Sequence, residues 1–374
     1  MNLSVVKLRC VLASLGVAVL TAACGGGGGD SAPMTGGTAG PSYAATNLVS
    51  DFGVNSNPYA SANVDTHLVN AWGIAFNPNG FVWVANAGTS TSTLYDGNGA
   101  IQSLVVAIPA GTAGAASPTG IVFNATTDFV VSQAGVSGAS PFIFVGEAGT
   151  LSGWSPGVSL NSAIKVFDGA AAGAVYKGLA LASSGGANFL YATDFHNARV
   201  DVFDGTFTKV TAAGGFTDPT LPAGYAPFGI QAIGGSLYVT FAKQDAAAHD
   251  DVAGAGLGLV DVFDTTGHFI KRLVDVGGSL NAPWGMALAP ANFGTFSNAL
   301  LVANFGDGKI NAFNASTGVL MGTLSNAAAA PIAVDGLWGI AFGNGINNQP
   351  TNTLFFTGGP SNETHGVYGR IDAH

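Results

Sequence analysis

Asp245, His249, Asp250 and Asp251 put four cation-binding side chains within one seven-residue stretch. Carboxylate oxygens suit a hard ion such as Ca²⁺, and Gly254, Gly256 and Gly258 beside them permit the bends that an oxygen-rich loop needs. The ligand types therefore admit Ca²⁺ or another divalent cation. Their spacing does not alternate as in a defined calcium loop, so a solvated surface loop is the competing reading. Asp65 and His67 form a second acid–imidazole pair, ahead of the first repeat. His196, His268 and His365 stand singly in turn-like segments, and no histidine cluster has zinc spacing. Serine nucleophile elbows and phosphate-cradling glycine loops are absent.

These residues are positioned by a pattern that occurs six times: a large residue, Gly, then an aliphatic residue that opens a strand. It reads Trp72-Gly73-Ile74, Thr119-Gly120-Ile121, Lys177-Gly178-Leu179, Phe228-Gly229-Ile230, Trp284-Gly285-Met286 and Trp338-Gly339-Ile340. The glycines lie 47, 58, 51, 56 and 54 residues apart, which is the spacing of propeller blades. Alternation along a strand puts the large residues on one face and Gly and Ala on the other, so neighbouring blades can interdigitate. Trp72, Trp284 and Trp338 thus read first as inter-blade core and second as ligand-stacking surfaces. Lys177 is the odd member of its column. It reads either as a channel-facing cation that pairs with a carboxylate or anionic ligand, or as a snorkelling side chain stacked on Tyr176 or a neighbouring blade. Gln231 is the other polar residue of the innermost strands, and Asp194 and Asp335 lie in loops able to reach a channel mouth.

The expected fold is all-β: a six-bladed propeller of four-stranded blades, starting near residues 70, 117, 175, 226, 282 and 336. The fifth repeat shows the unit, with strands expected at 284–289, 299–304, 309–314 and 319–324. The second is the least regular, because 129–132 and 142–145 both look like strands. The sixth has only three strands before the chain stops, and one unassigned strand, Thr46–Phe52, precedes the first repeat. Pairing that strand with the last blade closes the ring and hides both sheet edges. Asn86, Gln133, Asp194, Phe241, Asn304 and Gly358 then form a column at the ends of the second strands. Its Asn and Asp members read as turn caps.

Residues 1–23 read as a bacterial secretory leader. Lys7 and Arg9 precede an apolar run, and Leu20-Thr21-Ala22-Ala23-Cys24 resembles a lipobox whose Cys24 is acylated. Gly25 after the cysteine resembles the outer-membrane-sorted class, and residues 24–41 read as a lipidated tether ahead of a 42–374 propeller. The mature domain then has no cysteine for a disulfide and depends on its apolar core. Only 9% of residues are charged, whereas 56 are Gly, as buried strands joined by tight turns require. A formal charge of −10 argues against nucleic acid and anionic lipid surfaces as partners. The membrane is expected to be reached through the lipid alone, by a monomer.

The segment Ala192-Thr193-Asp194-Phe195-His196-Asn197-Ala198-Arg199-Val200-Asp201-Val202-Phe203-Asp204 resembles the NHL-repeat signature. Residues 303–313 are a looser copy. The segments Asn70–Phe76, Gly149–Trp154 and Tyr176–Ala180 resemble an uncharacterised bacterial exported propeller family, over nearly the whole mature domain. That resemblance implies fold and export but no chemistry. Two functions follow as expectations: a ligand- or protein-binding module at the cell envelope, or a metal-dependent hydrolase or lyase with its site at the central channel. The second needs inward carboxylates or histidines from several blades. The innermost strands offer mainly Gly, Ala and aliphatic residues, so Asp65, His67, Asp194 and Asp335 would have to supply that site from loops.

Overall fold

The computed structural model describes residues 42–53 and 59–374. The leader, Cys24 and the whole tether lie outside the described residues. Six four-stranded antiparallel sheets make a six-bladed propeller, as the repeat spacing predicts. The innermost strands are Ala71–Phe76, Pro118–Phe123, Tyr176–Ser184, Tyr225–Ile233, Pro283–Leu288 and Leu337–Phe342. Each stands at the end of its sheet, so one edge of every inner strand faces the ring axis.

The N-terminal strand runs over Tyr43–Ser50 and pairs antiparallel with Val367–Ala373, with Tyr43 opposite Ala373. It completes the last blade and closes the ring, and a short strand at Asn63–Val64 extends that sheet in parallel. In the second blade the second strand is Phe142–Gly146. The other candidate folds as part of a separate hairpin, Val130–Gln133 with Val136–Ala139. Gln133 therefore leaves the column of second-strand ends, and Gly146 with Glu147 takes its place.

Apolar residues from facing blades fill the wedges between them. Trp83, Phe142, Trp154 and Ile121 share one such cluster, with Trp83 and Phe142 stacked at 4.1 Å between centroids. The repeated glycine sets how closely the blades approach. A Cβ at Gly73 would lie 2.4 Å from the Thr119 carbonyl oxygen of the next blade. The same clash arises between Gly229 and Trp284, Gly285 and Trp338, and Gly339 and Trp72, at 2.0, 2.4 and 2.6 Å. Threonines tie three of the blade junctions. Thr193, Thr240 and Thr357 each accept the N–H of their own blade's glycine (Gly178, Gly229 and Gly339) and donate to a carbonyl of the next blade (Phe228, Trp284 and Trp72).

Gly229→Ala is expected to destabilise the fold by more than about 3 kcal/mol, because neither backbone can retreat without moving a blade. Gly157→Ala, where an added methyl meets nothing within 4 Å, serves as the control and should stay within about 0.5 kcal/mol of the parent. Urea unfolding of the two variants checks the difference.

Candidate functional site

At the end of the ring where the inner strands begin, the axis is plugged. Trp72 and Trp338 stack with centroids 3.5 Å apart, Phe305 stacks on Trp338 at 3.9 Å, and Trp284 and Phe228 pack edge-on against the pair. Trp72 and Trp338 are buried, so both serve as core rather than as exposed stacking surfaces. Trp284 donates its indole N–H to the Lys177 carbonyl at 2.9 Å, and Trp338 donates to Asn70 Oδ1 at 3.2 Å. Trp72 Nε1 is buried and has no partner among the described residues.

Lys177 extends into this plug and is only 2% exposed. Its ammonium lies 5.2 Å from the centre of a Trp72 ring and pairs with Glu147 and, at 3.2 Å, with Asp250. It neither snorkels nor stacks on Tyr176. Burial opposes the charge, yet the attraction of Glu147 and Asp250 outweighs it and holds the Lys177 pKa above its ordinary value. Asp250 titrates below the usual range: burial opposes its charge too, but Lys177 and His249 prevail. Two further carboxyl groups border the same ammonium. Burial pushes Asp251 up to about 7, and its Oδ2 is buried without a partner among the described residues. Burial, reinforced by repulsion from Glu147, also raises Glu363, which accepts a hydrogen bond from Asn70 Nδ2 at 3.2 Å.

Four elements deliver this cluster. Glu147 occupies the turn after the second strand of the second blade, and Lys177 opens the third blade. The fourth-blade insertion brings His249, Asp250 and Asp251, with Asp245 capping its bend by accepting the N–H groups of Ala247 and His249. Glu363 ends a loop in which Ser361, Asn362 and Glu363 all hold left-handed backbone (φ 58, 56 and 64°). Such strain persists where the surroundings enforce it, and here Asp335 accepts the Ser361 N–H at 2.8 Å. Glu147, His249 and Asp250 each present one ligand atom, all within 4.8 Å of one another. The Lys177 ammonium already sits among two of them. Beside Glu147 and His249 lies a cleft of about 300 Å³, walled by small residues such as Gly114, Ser117 and Ala174.

The other residues singled out from the sequence lie elsewhere. Asp65 is buried under the first blade, where it accepts from Tyr95 Oη and the His67 N–H, each at 2.9 Å; His67 Nδ1 lies 2.9 Å from its carboxylate. Asp194 is fully buried, accepts from the Val175 N–H and Asn197 Nδ2, and pairs with Arg199 at 3.1 Å. Gln231 lines the opposite end of the channel. Glu147, Glu363 and Asn70 escaped the sequence reading. Glu147 carried one usable signal, since it directly follows Gly146, the position at which three other blades place Asn86, Asp194 and Asn304.

No known protein-family profile matches the chain. It is 32% identical over 340 residues to Uncharacterized protein R648 of Acanthamoeba polyphaga mimivirus, covering 89% of this chain and 82% of the relative. Uncharacterized protein L690 of the same virus is 30% identical over 342 residues, covering 89% and 87%. Among solved structures, a protein of unknown function from Bacteroides thetaiotaomicron superposes with a TM-score of 0.54 at 10% identity, over 89% of this chain and 76% of that one. At that identity the likeness shows the fold alone.

Lys177→Met should cost about 2 kcal/mol, because it leaves Glu147 and the largely exposed Asp250 facing each other without a cation, with solvent screening part of the repulsion. The double variant Lys177→Met/Glu147→Gln should recover part of that loss in chemical denaturation. Asp251 has a folded pKa of about 7 against an ordinary 3.8, so its ionisation opposes folding. The penalty is absent below about pH 4, grows as pH rises and is complete above about pH 7. Asp251→Asn is therefore expected to raise the melting temperature at pH 8 by a few degrees relative to the parent. At pH 4 it should leave that temperature unchanged, and paired melting curves at the two pH values read the difference.

Proposed function

The chain belongs to one family with the mimiviral proteins R648 and L690, and we propose that it works as a binding propeller that takes its ligand over Lys177. Four carboxyl groups, from Glu147, Asp250, Asp251 and Glu363, surround that single buried ammonium. This surplus of acceptors, of which Glu147 also lines the cleft, is the observation that carries the reading. It suits a ligand rich in hydrogen-bond donors, such as a protonated amine or the hydroxyls of a glycan, presented by an envelope polymer or a partner protein. The aromatic plug behind Lys177 directs such a ligand to the cleft beside Glu147 and His249 rather than into the channel.

In this reading the leader carries a bacterial chain across the inner membrane, and an acyl group on Cys24 holds it at the outer membrane as a monomer. A second reading, a metal-dependent hydrolase or lyase, draws on the approach of Glu147, His249 and Asp250 to one another. A divalent ion there would have to displace the Lys177 ammonium or bind outside it.

Screening the purified chain on an array of envelope glycans and amine-bearing ligands tests the binding reading. His249→Ala, at an exposed edge of the cleft, should weaken the best ligand by roughly tenfold without moving the melting temperature; unchanged affinity would sink this placement. Metal analysis before and after chelation decides the second reading: stoichiometric metal, with a melting temperature that falls on chelation and recovers on readdition, would favour it. Loss of the chain from the membrane fraction in Cys24→Ser is the result expected from the anchor.

A further inference from the structure

The opposite end of the ring holds a separate cavity of about 490 Å³, within the range of small-molecule pockets. It is built from residues that follow the repeated glycine in all six inner strands, and no lining residue is charged. Its rim is two-sided. Phe342, Phe76 and Phe123, from the consecutive sixth, first and second blades, form an aromatic arc. Leu181, Ile233 and Leu288, from the third to fifth blades, form an aliphatic arc facing it. All six are at least partly exposed, with Leu288 46% exposed.

Two sources of polarity reach into this cavity. Each inner strand ends its sheet, so main-chain N–H and C=O groups along its free edge face the axis. Gln231 supplies an amide where the other five blades carry Ala75, Val122, Ala180, Ala287 and Ala341 two residues after the repeated glycine. A charged ligand would lose its hydration here without gaining a counter-charge. A purely aliphatic one would leave the strand edges and the amide unpaired.

We propose that this mouth is a second ligand site, distinct from the Lys177 cluster, for an uncharged flat ring compound. Its faces pack between the Phe and aliphatic arcs, and its ring-edge donor or acceptor meets the Gln231 amide. The site is open in the direction opposite to the cleft beside Glu147.

N-phenyl-1-naphthylamine, an uncharged aromatic probe that fluoresces when removed from water, tests this on the full chain expressed without export, so that no acyl group competes. Saturable one-to-one enhancement is expected. Gln231→Trp, which fills the cavity from an exposed position, and Leu288→Glu, which places a charge on the rim, should each weaken the probe by roughly tenfold or more. His249→Ala, on the other face, should leave it unchanged. Indole should displace the probe and indole-3-acetate should not at equal concentration. An absence of saturable enhancement, full affinity in both rim variants, or equal displacement by the two indoles would overturn the proposal.

Discussion

The closeness of one blade's glycine to the next blade's carbonyl is the constraint on which the rest of this propeller depends. Four such contacts leave no room for even a methyl group, and the approach of Gly339 to Trp72 joins the last blade to the first. Six wedges must share a full turn about the axis, so a spacing too wide at one junction has to be absorbed by the others. Thr193, Thr240 and Thr357 add hydrogen bonds at three junctions, while Ala85 and Ala303 stand at the matching positions of the first and fifth blades. The narrow waist is therefore steric in every blade and hydrogen-bonded in some.

The same waist explains the company that Lys177 keeps. The residue before each glycine is forced toward the axis at one end of the ring, and five of the six fill that space with Trp, Phe or Thr. A lysine in the sixth place must bury an ammonium or disrupt the plug. It is accommodated by a carboxylate from the blade before, another from an insertion in the blade after, and the face of Trp72 across the axis. Blade-to-blade packing runs around the ring, whereas this cluster ties it across. Asp251 and Glu363 are more carboxyl groups than one ammonium needs, and that excess separates the site from a simple structural ion pair.

Much of the fold was legible because it rests on periodicity. The glycine pattern located all six inner strands, and the three-strand last repeat implied closure by an N-terminal strand, found at Tyr43–Ser50 rather than Thr46–Phe52. The second blade was ambiguous because its extra hairpin has the same alternation as a blade strand. That ambiguity hid Glu147, whose importance comes only from the register of Phe142–Gly146. Lys177 stood out by type, and His249 and Asp250 by clustering, but nothing local in the sequence states that the insertion folds back over the ring centre. Glu363 depends on three consecutive left-handed residues, a conformation that no residue type among Ser361, Asn362 and Glu363 announces. Packing periodicities are encoded residue by residue; convergence of loops from different blades is encoded only by the completed ring.

The antiparallel pairing of Tyr43–Ser50 with Val367–Ala373 also bears on the order of events in the life of the chain. Tyr43 has to wait for Ala373, so the final blade cannot assemble until the last strand of the ring has left the ribosome. Five blades can form from neighbouring segments, but the sixth requires a loop closure spanning nearly the entire sequence, the slowest class of contact to establish. Until then the strand Tyr43–Ser50 waits without its antiparallel partner, and the nascent chain retains a segment that chaperones or a translocation channel can hold. Synthesis from one end to the other thus sets a timer, and the ring locks only when the last strand arrives.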